Sequence, residues 1–192
     1  MHPQRCFFDQ RAQGWEERCY PPETRARLEA FIPTWKIRPG SRVLDLGTGP
    51  GVLLPYLHAL GTWNVALDIS RAMLLQAKAK GLPCALTQAD GQSLPLAAAS
   101  FHHVICFAAF PHMEDQPKAV AEMARVLMPG GTLIIAHLLS RDELARHHSQ
   151  HQEVAHHLLP DAPAMQRLLE AAGLQLLELV DQPGCYLARG MR

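Results

Sequence analysis

The chain has 192 residues, 48% of them hydrophobic, enough for one compact domain with a sizeable core. Its 18 basic and 18 acidic side chains balance, so no overall charge favours nucleic acid, and no Lys/Arg cluster stands out. The five cysteines (6, 19, 84, 106, 185) are odd in number, dispersed and form no C-x-x-C pair, which argues against a disulfide framework. No apolar run reaches the ~18 residues of a membrane span, and Phe7-Phe8 is flanked by polar residues rather than set in a signal sequence. The composition predicts a soluble cytoplasmic protein with no membrane or nucleic-acid partner; it leaves the oligomeric state open.

Residues 4–33 read as helical with a break at Pro21-Pro22. Helices are expected near 51–60, 70–80, 115–128 and 161–172. Strands are expected near 41–46, 63–68, 83–88, 101–107, 131–139, 174–181 and 185–190. Pro129-Gly130-Gly131 should stop a helix and turn into a strand, and Gly173 suits a helix C-cap. Strands alternating with helices imply a doubly wound α/β sheet. The last two, joined only by Pro183-Gly184, must be antiparallel, because a parallel pair needs a long crossover.

The chemistry concentrates in Val43-Leu-Asp-Leu-Gly-Thr-Gly-Pro-Gly51, an apolar strand that breaks into three glycines. Without a Cβ, Gly47, Gly49 and Gly51 can take positive φ and let a ligand approach the main chain. Asp45 inside the apolar run needs a partner, either a cation or backbone N–H groups. Twenty residues on, Asp68 ends the next strand, where an acid can accept from both hydroxyls of a ribose. Ser70 is the natural N-cap of the helix that follows.

The pattern Asp45-x-Gly47-x-Gly49-x-Gly51 resembles the first motif of class I S-adenosylmethionine-dependent methyltransferases. A dinucleotide-binding domain would require G-x-G-x-x-G, and Val52 stands where its last glycine belongs. Leu94-Pro95-Leu96, Phe101, Met113-Glu-Asp115 and Arg125-Val-Leu-Met-Pro-Gly-Gly131 extend the resemblance over about residues 40–139 to the UbiE-like, or type 11, branch. His102 departs from it, standing where the family usually has Asp at the start of a strand. The resemblance implies a Rossmann-like seven-stranded mixed sheet of order 3-2-1-4-5-7-6, the last strand antiparallel. It implies S-adenosylmethionine held by Asp45, Gly47, Thr48, Gly49 and Gly51, and by Asp68, Ile69, Ser70 and Met73. Asp90 and Gly91 would lie near the adenine, with Phe107 and Ala108 at the pocket border. Cys6-Phe-Phe-Asp-Gln-Arg-Ala-Gln-Gly-Trp15-Glu is similar to the family's lead-in, so residues 1–33 are expected to form a lid on a core of residues 34–192. The alternative for this segment is a helix packing Phe7, Phe8 and Trp15 on the sheet edge.

Six of the eleven histidines fall between His137 and His157. On a helix over 141–151, His147 and His151 share a face at i, i+4, as do His148 and His151 at i, i+3. With His137 or Glu153 this spacing suits a divalent metal such as zinc. It equally suits a solvated helix. His137, at the end of the fifth strand, and His112, after the fourth, are the candidate general bases. Three functions follow: methyl transfer to a small-molecule acceptor, metal binding on a methyltransferase fold, and NAD-linked oxidoreduction, which Val52 disfavours.

Overall fold

The computed structural model describes residues 3–150 and 153–192. Its centre is a seven-stranded sheet of order β3-β2-β1-β4-β5-β7-β6, as the sequence implied. The strands are β1 (Arg42–Leu46), β2 (Trp63–Asp68), β3 (Ala85–Gln88), β4 (Phe101–Phe107), β5 (Leu127–His137), β6 (Gln175–Gln182) and β7 (Cys185–Met191). β1 pairs in parallel with β2 and β4, and β7 runs antiparallel between β5 and β6. Pro183-Gly184 makes the final hairpin, with Gln182 opposite Cys185. Central strands are covered on both faces and so are largely apolar, as in the unexposed run Val104-Ile105-Cys106.

The helices are α1 (Pro3–Arg11), α2 (Trp15–Cys19), α3 (Pro22–Phe31), α4 (Leu54–Ala59), α5 (Arg71–Ala79), α6 (Gln116–Val126), α7 (Arg141–His148) and α8 (Ala162–Ala171). Side chains fix several starts. Ser70 accepts from the Met73 N–H, Asp115 from Lys118, and Asp161 from Ala164. Ser140 and Glu143 form a reciprocal capping box on α7. The amphipathic face of α6 buries Ala119, Val120, Met123 and Ala124 in the main core.

Three boundaries differ from the sequence expectation. α4 starts at Leu54 rather than at 51, because the positive φ of Gly51 keeps the chain in a turn. α6 ends at Val126, ahead of Pro129-Gly130-Gly131, and Leu127 already pairs with Phe101. The Pro-Gly-Gly segment is therefore a kink within β5, where Gly130 has φ +74° and the register slips. The amino-terminal helices break first at Gly14 (φ +65°), ahead of Pro21-Pro22.

Candidate active site

The carboxyl ends of β1, β2 and β4 open into one cavity, where ligands bind in a doubly wound sheet. Asp45, Gly47, Thr48, Gly49, Asp68, Ile69, Met73, Asp90, Gly91, Phe107 and Ala108 all line it. Of the residues expected there, only Gly51 and Ser70 stand back. A Cβ on Gly51 would meet Leu54 and Ala77 at 2.8–3.0 Å, so this glycine serves helix packing. Ser70 is fully buried as the cap of α5.

The three glycines divide the work. All have positive φ, but a Cβ on Gly47 would come within 2.3 Å of the Ala109 Cβ, whereas one on Gly49 would meet nothing within 4 Å. Gly49 is thus the glycine that leaves main chain bare toward the cavity. Two acids hold this turn. Thr48 donates to Asp45 at 2.6 Å; the Gly49 and Ser70 N–H groups donate to opposite oxygens of Asp68, each at 2.8 Å. Burial pushes Asp45 up to about 7, against the pull of the Thr48 hydroxyl and with a further push from Asp68. Burial likewise raises Asp68 to about 6, although the Ser70 and Gly49 N–H groups favour its charged form. Asp90 accepts from the backbone and side-chain N–H groups of Gln92.

The amino-terminal helices close this cavity from above. Gln4, Phe8, Trp15 and Tyr20 line it. Phe8 packs edge-on against Trp15 and against His112, with ring centroids 5.8 and 5.2 Å apart. Asp9 accepts from the Ser70 hydroxyl at 2.6 Å and from the Ala72 N–H at 3.1 Å, adding a second cap to α5. Glu16 bridges Arg25 and Lys80 at 2.9 and 2.6 Å. The spacing of Phe7, Phe8 and Trp15 hinted at this cover. The contributions of Gln4, Tyr20 and Met113 had no such signal, because each depends on where the segment docks.

A second cavity, about 550 Å³, adjoins the first through Phe8, Trp15, Tyr20, Phe107, Ala108 and His112. Among its other walls are His137, Leu138, Leu144, His147, His148 and Val154. The structure gathers His112, His148 and His157 more tightly than the spacing suggested. His112 Nδ1 lies 2.9 Å from His157 Nδ1, and His148 Nδ1 donates to the His157 carbonyl at 2.7 Å. Burial drives His112 down to about 3 and His137 to about 4, aided in each case by neighbouring histidines, so both are neutral at pH 7. His137 Nδ1 accepts from the Leu139 N–H at 2.9 Å. Its proton is then on Nε2, which makes the neutral ring a donor rather than a base.

Of the four histidines expected at a metal, His137 and His148 are engaged as described, His147 is exposed, and His151 lies outside the described residues. Among the described residues no group of three or more His, Cys, Asp or Glu side chains is arranged to hold a metal ion. None of the helices described is long and apolar enough to cross a membrane.

The sheet order and the acid-flanked glycine turn define a Rossmann-like methyltransferase fold. Residues 44–135 match the family model described as a methyltransferase domain. A demethylmenaquinone methyltransferase of Corynebacterium efficiens is 36% identical over 121 residues, 63% of this chain and 49% of that protein. A malonyl-[acyl-carrier protein] O-methyltransferase of Enterobacter lignolyticus is 36% identical over 109 residues, 57% of this chain and 43% of its own length. The chain thus spans about half the length of the curated relatives it matches. Two solved structures share the fold. One is a chain from a complex that contains the Haloferax volcanii Trm112 methyltransferase activator (TM-score 0.80, 23% identity, 96% of each chain covered). The other is an S-adenosylmethionine-dependent methyltransferase of Aquifex aeolicus (0.72, 21%, 100% and 98%). Residues 44–135 thus match a methyltransferase domain, the fold is that of S-adenosylmethionine-dependent methyltransferases, and S-adenosylmethionine is the cofactor this resemblance implies.

Proposed function

We propose that this chain transfers a methyl group from S-adenosylmethionine to a small-molecule acceptor. The observation that carries the proposal is the first cavity, where bare main chain at Gly49 lies between two buried carboxylates. Acids held up near 6–7 favour a cationic or hydrogen-bond-donating guest, and the cofactor offers an ammonium, a sulfonium and two ribose hydroxyls. Asp68 would take the ribose through the lone pairs its two backbone donors leave free. Asp45, Thr48 and the Gly47–Gly51 turn would hold the methionine end, and Asp90 the adenine amino group. Ile69 and Met73 would supply apolar contact.

When bound, the cofactor supplies an activated methyl: the acceptor's lone pair bonds to its carbon while the carbon–sulfur pair stays on sulfur. The protein's work is then mostly orientation and exclusion of water, which can lower the barrier by about 7–11 kcal/mol in favourable systems. His112 borders both cavities and is the residue placed to accept a hydrogen bond from a protonated nucleophile. It can do so through Nε2 when its Nδ1–H donates to His157. His137 serves as a donor instead.

The first cavity is only about 110 Å³ with the amino-terminal helices in place, below the ~300–1,000 Å³ typical of ligand sites. We infer that this segment is a lid that shifts to admit the cofactor and closes over the methyl group. The family relatives favour a small acceptor, and the second cavity, at about 550 Å³, has room for one. Calorimetry with S-adenosylhomocysteine, NADH and zinc in parallel tests the reading. Heat from S-adenosylhomocysteine alone is expected. Binding of NADH without S-adenosylhomocysteine would replace the proposal with an oxidoreductase, and zinc alone with a metal-binding role.

A further inference from the structure

The second cavity has a chemically uneven wall. Its core side, from the ends of β4 and β5, the turns that follow them and α7, presents Phe107, Leu138, Leu144 and four imidazoles. Its lid side presents three guanidinium groups: Arg11 of α1, Arg18 of α2 and Arg27 of α3. Glu153 is the carboxylate among the lining residues, and it lies 3.4 Å from Arg11. Arg18 donates to the carbonyls of Arg11 and Gln13, and Arg27 to those of Leu138 and Gly184. Among the described residues neither has a carboxylate partner. Carbonyls orient a guanidinium without cancelling its charge, so two net cations face this end of the cavity. His137 adds a neutral donor there: its Nδ1 is held by the Leu139 N–H, which leaves Nε2–H for a ligand.

Position separates this end from the reacting one. The junction with the cofactor cavity is formed by Phe107, Ala108 and His112, whereas Arg18, Arg27 and His137 line the second cavity alone. Resting on the methyltransferase reading, we propose that the acceptor is a small organic anion. Its negative group is gripped at Arg18, Arg27 and His137, while its apolar body lies against Phe107, Leu138 and Leu144 and its methylated atom reaches the junction. A planar, forked carboxylate suits guanidinium donors best. Because the cations ride on the lid and the imidazole on the core, the same anion would bridge the two and favour closure.

The test uses the full chain saturated with S-adenosylhomocysteine, whose own binding is measured first. If that product does not bind, the methyltransferase reading fails and this inference with it. If it binds, 4-hydroxyphenylacetate and its neutral amide, 4-hydroxyphenylacetamide, are titrated as a matched pair. The acid is expected to bind at least about tenfold more tightly, the worth of one charge-assisted hydrogen bond. In Arg27→Gln the preference should fall toward parity with S-adenosylhomocysteine affinity unchanged, and Arg27→Lys should restore part of it. A merely structural role for Arg27 would weaken acid and amide together and leave their ratio alone. Equal binding of the pair, no binding of the acid, or a preference that survives in both Arg18→Gln and Arg27→Gln would overturn the assignment.

Discussion

The two cavities meet at Phe107, Ala108 and His112 yet are built in different ways. The first cavity is assembled at the ends of three parallel strands and is held by local contacts: Asp45 with Thr48, Asp68 with Ser70, Asp90 with Gln92. Each of these pairs lies within three residues in sequence, and the cavity's place follows from the sheet. The second cavity is assembled from segments more than a hundred residues apart, joined by contacts such as Arg27 to the Leu138 carbonyl and Arg11 to Glu153. A site of the first kind is set by the fold; one of the second kind is set by how the amino-terminal helices dock.

The largest expected effect separates the halves by deletion. Removing residues 1–20 leaves every strand intact, and Ser70 still caps α5 without Asp9. The truncated protein should fold, as judged by circular dichroism, and lose methyl transfer; full activity would show that the segment is no lid. Next comes His112→Gln, which should lower kcat by about tenfold for an acceptor with a protonated nucleophile, the worth of one orienting hydrogen bond. Affinity for S-adenosylhomocysteine should change little, and a parallel loss of both would place His112 in cofactor binding instead.

Gly47→Ala works on the other half. The added Cβ would sit 2.3 Å from Ala109 at φ +73°, so both strain and overpacking oppose it. A loss of about 1–3 kcal/mol is expected in urea unfolding, with weakened S-adenosylhomocysteine binding. Gly49→Ala carries the positive φ without the clash and should cost less stability than Gly47→Ala. Equal losses would mean that the two glycines do not divide packing from ligand approach.

That division marks how far the sequence could be read. Asp45, the glycines and Asp68 were legible because a buried acid and a strand-ending turn have local causes. The sense of β7 was legible because the short Pro183-Gly184 link admits only an antiparallel pair, whereas the order of the sheet was legible only through the family resemblance. The Pro-Gly-Gly kink was misplaced by a few residues, since the pairing of Leu127 with Phe101, a tertiary contact, ends α6 early. In the histidine segment spacing picked out His147 and His151, while folding drew His112 from another loop onto His157. Periodicity along one helix carries no information about such a partner. The donor state of His137 was hidden too, because it depends on a single N–H two residues away.

The smallest effect is in pH. Asp45 and Asp68 have folded values near 7 and 6, above the ordinary carboxylate value of 3.8, so the ligand-free fold binds the extra protons. These two groups make stability fall as pH rises from about 4 to 7. His112 and His137 act in the opposite sense, since their values lie below 6.5: their contribution is present above that pH and is lost as pH falls toward 4 and 3. On the proposed function S-adenosylhomocysteine binds the ionised acids, so its affinity should decline from pH 8 to pH 5. Asp68→Asn should flatten part of that decline; an unaltered profile would remove Asp68 from the account.

The central claim, that the cofactor is held at the strand ends through Asp68, is met most directly by equilibrium titration of S-adenosylhomocysteine into wild type and Asp68→Ala at pH 7.5. One site per chain is expected in the wild type. The variant should fold normally and bind at least about tenfold more weakly, having lost hydrogen bonds to charge worth roughly 1.5–3 kcal/mol each. Equal affinity in the two proteins, or no binding to the wild type, would contradict it.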